Sequence, residues 1–432
     1  MGQKAGARLV IGRAEGGWVM TRPEHGLLVL GPPRSGKTRG VVAPNVLAAS
    51  GPVVSTSTKT DVLALTLDQR RTKGRCWLYD PTGTVEPPPG VEPLRWSLVD
   101  AAADWDDAVR ATSTLVGTVR DRGGDAVHWA ERAEALLAPV LHAAALSKAG
   151  MASVVESVHR RRVEPARSVL EAVGASQALD LLMGVAATEE REQSGIWSTA
   201  SGALAGYRTT AALRTTEAPN FDPVTFVGSG DTVYICAPGQ HQKEVAPLVA
   251  GLVDQIRAAR YGLESGSHVL LALDEASNIA PLPELPALVS EGGGQGVLTL
   301  ACFQDLSQAR ARWGRAADGF MTTFGAKLVL PGVADGATLE ALSRLCGEQE
   351  VRVASTSRSG LRRSRSWSTR RQARLTPEEI RRGRPGAALL VDTDARAGWV
   401  ALATPPRARE AGVRPAPGRD RGAGGPAAER RR

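Results

Sequence analysis

The residues best placed to do chemistry lie in a glycine-rich segment near the start of the chain. This segment, Gly31-Pro32-Pro33-Arg34-Ser35-Gly36-Lys37-Thr38, fits the pattern G-x-x-x-x-G-K-[ST]. Glycines allow the backbone to turn successive N–H groups towards a phosphate chain, and the helix N-terminus that follows favours an anion. In such a loop Lys37 reaches the β- and γ-phosphates, and Thr38 offers a hydroxyl to Mg²⁺. The segment therefore predicts a binding site for ATP and Mg²⁺.

An acidic pair, Asp274 and Glu275, closes the apolar run His268–Leu273. A carboxylate at the end of a buried strand can hold Mg²⁺ through its water shell, so we assign this role to Asp274. Glu275 is then placed to orient or deprotonate an attacking water. The other interpretation is an Asp-Glu pair that merely ends a strand at a turn. With the glycine-rich segment present, the pair favours ATP hydrolysis coupled to motion.

A polar residue, Gln304, closes the next apolar run, Val297–Phe303. At the end of the neighbouring strand its amide could sense the γ-phosphate. A glutamine that simply terminates the strand is the alternative.

The elements that position these residues are short apolar runs, each closed by turn residues, as in buried parallel strands. The runs that predict strands are Leu27–Leu30, Val53–Val54, Trp77–Tyr79, Asp231–Ala237, His268–Leu273, Val297–Phe303 and Lys327–Leu330. Between them, residues 95–215 carry helical periodicity without strand patterns. We therefore predict one α/β nucleotide-binding domain formed by 1–94 and 216–405, an inserted all-α domain at 95–215, and a basic disordered tail at 406–432.

Length and composition restrict the class of protein and the cellular compartment. The chain has 432 residues, a net charge of +8 and four scattered cysteines, which excludes a disulfide framework and favours a reducing compartment. No stretch approaches the roughly 18–20 apolar residues that a membrane-spanning helix needs, and the first residues lack a signal-peptide pattern. These features predict a cytoplasmic protein.

The positive charge is concentrated late in the chain. Residues 352–384 hold eleven arginines against two glutamates, and residues 407–432 hold eight arginines against three acids. Arginines bind phosphate oxygens in a bidentate manner and release condensed counterions. Segment 352–384 therefore predicts non-specific DNA contact, with Trp367 as its stacking candidate. The alternative is a solvated hairpin or loop, and 407–432 is interpreted as a charged tether, with anionic lipid as one candidate target.

The order of these segments resembles the type IV secretion coupling proteins, the TraG/TraD-type ATPases of conjugative DNA transfer, which share a broad group with FtsK- and HerA-like motors. The segments that carry the resemblance are GPPRSGKT, STKTDVL, YDPTG, HWAERAEALL, LALDEASNI, ACFQDLSQ and LTPEEIRRGRPGAALLV, which together span most of residues 20–400.

The resemblance implies a RecA-like nucleotide-binding domain that carries an all-α domain and assembles as a ring, a homo-hexamer, with ATP at subunit junctions. Matched motif by motif, it implies the phosphate loop at Gly31–Thr38, the metal-side acid Asp274, the water-side acid Glu275 and the sensor Gln304. Partners implied are DNA, a relaxase or other secretion substrate, and type IV secretion channel proteins.

This sequence departs from the family pattern in one respect that bears on location. Family members usually begin with transmembrane helices, and no such segment stands in this sequence. Three explanations stay open: a fragment of a longer protein, a soluble variant recruited by a membrane-anchored partner, or a divergent member with another task. The second explanation gives the expected location, the cytoplasmic face of the cell membrane.

Two alternatives to a secretion motor remain open. The first is a docking receptor that binds ATP to hold its assembled shape, recognises cargo through the helical domain and turns over little. The second is an FtsK/HerA-like DNA pump outside secretion.

Overall fold

The computed structural model describes residues 6–118, 124–359, 362–393 and 397–403. Its described strands form a large sheet and a separate two-stranded ribbon. The large sheet contains β1 (Val10–Ala14), β2 (Gly17–Met20), β3 (Leu27–Leu30), β4 (Val53–Ser57), β5 (Cys76–Tyr79), β6 (Glu92–Pro93), β7 (Thr232–Cys236), β8 (Val269–Leu273), β9 (Val297–Phe303), β10 (Ala326–Val329), β13 (Ala387–Asp392) and β14 (Ala397–Ala401). The ribbon consists of β11 (Glu348–Ser359) and β12 (Arg362–Ala373).

The strand order of the sheet is β2-β1-β14-β13-β10-β3-β9-β8-β4-β7-β5-β6. All neighbours from β10 to β6 run parallel, whereas β13, β14, β1 and β2 are added antiparallel. Seven parallel strands, β3–β5 and β7–β10, are buried along their whole length. Continuous burial is typical of a parallel sheet covered on both faces, so the predicted α/β class with a mainly parallel sheet is confirmed.

The α-helices of the described residues fall into two groups. Those beside the sheet are α1 (Ala43–Ala48), α2 (Asp61–Arg70), α10 (Pro223–Val227), α11 (Gln242–Tyr261), α12 (Leu285–Glu291), α13 (Leu306–Trp313), α14 (Phe320–Thr323), α15 (Gly336–Cys346) and α16 (Pro377–Arg382). Those between β6 and α10 are α3 (Trp105–Gly117), α4 (Gly124–Leu146), α5 (Met151–His159), α6 (Glu164–Val173), α7 (Ser176–Ala186), α8 (Glu190–Ala203) and α9 (Thr210–Arg214). Among this second group, α4 contacts α3 and α5–α8.

The sheet separates two hydrophobic cores because successive residues of a strand point to opposite faces. In β3, Leu28 and Leu30 contribute to the core that also contains Leu136 and Leu137 of α4, whereas Leu27 and Val29 contribute to the core on the other face. The helices at 95–215 thus share one core with the sheet. The boundaries of the inserted domain stay a prediction.

Sequence patterns missed the outer strands of the sheet and left open whether 352–384 forms a hairpin. The antiparallel strands β1, β2, β13 and β14 were not predicted. Segment 352–384 contains most of the ribbon and, after it, α16. The predicted tail at 406–432 lies outside the described residues.

Candidate functional site

The glycine-rich segment connects β3 to α1 through a π-helical turn at Thr38–Val42. The Gly31 N–H donates to the Phe303 carbonyl at the end of β9 over 3.0 Å. A Cβ on Gly31 would lie 2.7 Å from Ser35 Oγ and 3.0 Å from Leu330 Cβ, so a larger residue would require these side chains to shift. Gly36 has a φ of +98°, which glycine adopts without strain. Close packing at Gly31 and the positive φ of Gly36 therefore explain why glycine occupies both positions.

The Lys37 ammonium lies inside this loop. It is buried and donates to the carbonyls of Gly31 at 2.5 Å and Pro32 at 3.0 Å. The Ser35 hydroxyl is also buried and has no hydrogen-bond partner among the described residues. A buried ammonium and an unpartnered hydroxyl in one loop, with backbone N–H groups around them, fit the oxygens of a phosphate chain.

A hydrogen bond joins the loop to the predicted acidic pair. Thr38 Oγ1 donates to Asp274 Oδ2 at 2.6 Å, across 236 positions of sequence. Asp274 follows β8, and its carbonyl accepts the Thr56 hydroxyl of β4 at 2.9 Å. A threonine hydroxyl beside a carboxylate is a hard-oxygen pair of the kind that Mg²⁺ prefers. Within the described residues no group of three or more His, Cys, Asp and Glu side chains could hold a metal ion.

The Asp274 carboxyl is a weaker acid than an ordinary aspartate, because its pKa is raised. Its pKa is raised to about 6, chiefly by burial and also by the nearby carboxylates of Glu275 and Asp61. The Thr38 hydrogen bond and the Lys37 charge oppose this increase. Ionised Asp274 is therefore costly in the protein alone, and a bound cation would favour it.

Glu275 has a backbone conformation that is rare for its residue type. Its φ is +56°, and left-handed geometry costs a non-glycine residue about 1–2 kcal/mol. The Glu275 carbonyl accepts the N–H groups of Asn278 and Ile279 at 2.9 and 3.1 Å, and these bonds hold the turn. Backbone strain that the surrounding structure maintains is common at functional sites.

The structure places Gln304 at the same edge of the sheet. Because β9 lies between β3 and β8, Gln304 follows a strand flanked by the glycine-rich loop and the acidic pair. Its N–H donates to the Gln308 Oε1 at 3.0 Å, and Asp305 caps α13 by accepting from Ser307 N and Gln308 N. Gln304 is half-buried; its role as a sensor stays a prediction.

Comparison with known proteins identifies the family. Residues 4–392 match the model of the type IV secretory system conjugative DNA transfer family. The chain belongs to this family. The predicted resemblance to type IV secretion coupling proteins is thereby confirmed.

Two relatives of this family member are conjugal transfer proteins TraG from Escherichia coli. One is 28% identical over 405 residues, covering 83% of this chain and 62% of the relative. The other is 27% identical over 325 residues, covering 67% of this chain and 49% of the relative. The chain thus spans about half to three fifths of the length of these relatives.

Solved structures of the bacterial conjugative coupling protein TrwB show the same fold. Unbound TrwBdeltaN70 matches with a TM-score of 0.73 at 19% identity, covering 94% of this chain and 91% of that chain. TrwB in complex with the ATP analogue ADPNP matches with a TM-score of 0.69 at 19% identity, covering 90% and 87%. This likeness confirms the predicted RecA-like P-loop fold. Among the helices that the structure describes, none is long and apolar enough to cross a membrane.

Two other segments that carry the family resemblance, STKTDVL and YDPTG, follow β4 and β5 at the same edge of the sheet as the site. Asp80, after β5, accepts hydrogen bonds from the N–H groups of Thr82 and Val85 at 2.9 and 2.6 Å. These hydrogen bonds stabilise the loop at 80–85, so Asp80 has a structural role. Asp61, at the start of α2, accepts from the Ser57 hydroxyl at 3.1 Å.

Sequence reasoning missed two residues at this edge. The Thr56 hydroxyl supports the Asp274 backbone, and Gln308 holds the Gln304 backbone. The run of four Ser and Thr residues at 55–58, directly after the apolar Val53 and Val54, was the available signal for Thr56. Gln308 carried no signal, because its contact depends on how α13 leaves the sheet.

The buried Asp274 carboxylate should destabilise the nucleotide-free protein at neutral pH. Its folded pKa lies above the unfolded value of about 3.9, so the stability that its protonated form provides is lost as pH rises from about 4 through 6. Asp274→Asn carries no charge and should raise the free energy of unfolding at pH 8 by about 2 kcal/mol. Denaturant unfolding at pH 8 and pH 4 measures this, and a gain of equal size at both values would contradict the assignment.

Proposed function

We propose that this protein is a P-loop ATPase that couples ATP hydrolysis to DNA transfer in conjugation. The observation that carries the proposal is the hydrogen bond between Thr38 and Asp274, which brings the glycine-rich loop and the acidic pair into contact. The TrwB structures solved with ADPNP and with ADP and Mg²⁺ support nucleotide binding at such a fold. Membership of the conjugative DNA transfer family supports the biological setting.

In the proposed reaction, the loop at Gly31–Thr38 binds the triphosphate of ATP, and Lys37 exchanges its bonds to loop carbonyls for bonds to phosphate oxygens. Glu275 accepts a proton from water as the water oxygen bonds to the γ-phosphorus. The bond from the γ-phosphorus to the β–γ bridging oxygen breaks, and ADP and inorganic phosphate result. Gln304 would contact the γ-phosphate and respond to its loss.

Thr38 and Asp274 are the residues that would hold Mg²⁺. When bound, Mg²⁺ would neutralise charge on the β- and γ-phosphate oxygens. The Thr38 hydroxyl and the Asp274 carboxylate already lie side by side, so little rearrangement of the chain is needed.

Membership of the family supports a wider activity. We propose that the chain acts in a homo-hexameric ring, binds DNA without sequence preference through 352–384, and recruits a relaxase or other cargo to the secretion channel. The helices at 95–215 would form the all-α domain of each subunit. A membrane-anchored partner would place the ring at the inner face of the cell membrane.

ATP hydrolysis measured with and without DNA over a salt series tests this proposal. We expect DNA to stimulate turnover, and the stimulation to fall steeply between about 50 and about 300 mM salt because Arg–phosphate contacts release counterions. Lys37→Ala should lower turnover at least about 100-fold under all conditions, because the loop then lacks its ammonium. Lys73→Ala is the matched control, since Lys73 is exposed and bonds only carbonyls at 47 and 49 among its described contacts.

Two results would redirect the proposal. Measurable ATP binding with negligible turnover at every DNA and salt concentration would favour the docking receptor. Turnover that DNA stimulates equally at low and high salt would contradict the role given to the arginines.

A further inference from the structure

The ribbon of β11 and β12 has two chemically different rows. Residues that pair directly across two strands share a face, and successive pairs alternate between faces. One set of pairs is Glu350–Arg371, Arg352–Thr369 and Ala354–Trp367; the other is Val351–Arg370 and Val353–Ser368. We name the first set the tryptophan row and the second set the valine row.

The tryptophan row combines aromatic surface with positive charge. The Trp367 side chain is 60% exposed, and Arg352 and Arg371 are exposed. Arg352 is a diagonal neighbour of Trp367, a spacing of about 7–8 Å that long side chains can bridge.

The valine row offers a weaker surface for a polyanion. Val351 is half-buried and Val353 is 44% exposed. Arg370 is the one cation among the valine-row pairs named above. Arg370 and Arg371 are thus adjacent in sequence but lie on opposite faces. Removing a charge from one face can therefore be compared with removing the same charge from the other.

The base of the ribbon is fixed to the sheet domain. The Arg374 N–H donates to the Gly347 carbonyl at 2.9 Å, and the Ser343 hydroxyl of α15 donates to the Leu375 carbonyl at 2.6 Å. The same helix meets the site edge, because the Thr338 hydroxyl accepts the Leu306 N–H at 3.2 Å. The ribbon is therefore linked through α15 to the segment that follows Gln304.

We propose that the tryptophan row binds single-stranded nucleic acid, with Trp367 stacked on an unpaired base and Arg352 and Arg371 on flanking phosphates. This inference rests on the proposed DNA-transfer function and assigns the DNA contact to one face of the ribbon. Every unpaired base offers a π-face to an exposed indole, whereas a base inside a duplex is already stacked on its neighbours. Arginines on the same face supply the charge that follows a backbone, so the row needs no base-specific contact.

Fluorescence anisotropy of a labelled oligothymidine and of a blunt duplex of equal length, titrated with full-length protein, tests the proposal. Trp367→Ala should weaken single-strand binding about tenfold and change duplex binding by less than about twofold. Trp367→Phe should recover most of the affinity because it keeps an aromatic face. Thermal unfolding should show that both variants remain folded, since the ring is mainly exposed.

Charge variants separate the two rows. Arg352→Ala should reduce the slope of log affinity against log salt by about 0.7 for single strands, the value for one lost phosphate contact. Arg370→Ala removes the same charge from the valine row and should reduce the slope by less than half as much. Equal effects of both substitutions would overturn the assignment to one face.

The remaining outcomes separate this inference from the proposed function. Equal losses on single strands and duplexes for Trp367→Ala would remove the stacking role while DNA binding stands. Wild-type binding that no ribbon variant changes would overturn the ribbon as the contact. No DNA binding at any salt concentration would instead overturn the DNA part of the proposed function. Ribbon-dependent binding only to vesicles containing anionic lipid would overturn both.

Discussion

Glu275→Gln is expected to lower ATP turnover by about 10²–10⁴-fold while ATP affinity stays within about twofold. Glutamine keeps the shape of the side chain, and its amide oxygen can still accept from the Asn278 side chain, which contacts Glu275 Oε2 at 3.5 Å. It cannot accept a proton from water at neutral pH. Single-turnover hydrolysis and equilibrium binding of a fluorescent ATP analogue measure the two quantities separately.

The control for this substitution is Glu264→Gln. Glu264 is exposed in the connection that precedes β8, whereas Glu275 follows the same strand, so the same chemical change is made at the opposite edge. We expect no change in turnover. If Glu275→Gln kept more than about a tenth of wild-type turnover, another group would have to act as the base, and Asp61 would be the first candidate because its charge reaches Asp274.

The strained backbone at Glu275 makes a second variant informative. Glycine at position 275 adopts a φ of +56° without the cost that a side chain imposes. Glu275→Gly should therefore match or exceed the wild-type melting temperature and still lose turnover. A protein that is at least as stable but inactive would show that the glutamate is retained for chemistry.

The sequence predicted those parts of the fold that have strong local signals. Buried apolar runs predicted the central strands, and the glycine-rich motif predicted the loop that meets Asp274. The outer strands could not be predicted because their pairing is non-local: Arg13 of β1 pairs with Ala401 of β14. These strands are also partly exposed, so their patterns are weak.

The ribbon shows a different limit of sequence analysis. Its arginine- and serine-rich strands lack the alternation of apolar and polar residues that marks a half-buried strand. The composition predicted polyanion contact, but only the pairing of Ala354 with Trp367 shows which arginines share the aromatic face. Thr56 illustrates the same point at the site, since a hydroxyl that supports a distant backbone has no spacing rule.

Arg70→Ala is expected to cause a large loss of stability at a position outside the site. The Arg70 side chain, at the end of α2, is fully buried, and burial lowers its pKa. Its guanidinium donates to the Thr232 hydroxyl at 2.7 Å and to the carbonyls of Ala49 at 2.7 Å, Gly51 at 2.9 Å and Gly230 at 2.8 Å. One side chain thus ties together the segments that enter β4 and β7.

Removing this guanidinium would leave several buried carbonyls without a donor. The cost should be about 3–5 kcal/mol, the range for breaking a buried charged network. Thermal unfolding should show a decrease in melting temperature of about 5 °C or more. Arg70→Lys should recover only a small part of this loss, because an ammonium cannot reproduce the planar fork that contacts both segments.

Lys73→Ala provides the matched control for this prediction. The Lys73 ammonium also donates to the Ala49 carbonyl, at 2.7 Å, but the side chain is exposed, so water can replace it. We expect a change of less than about 0.5 kcal/mol. The Arg70 contacts lie where β4 begins, and Thr56 supports Asp274 where β4 ends, so Arg70→Ala should destabilise the fold while the folded fraction keeps its turnover. A loss of turnover per folded molecule comparable to that of Glu275→Gln would show that the two ends of β4 are not independent.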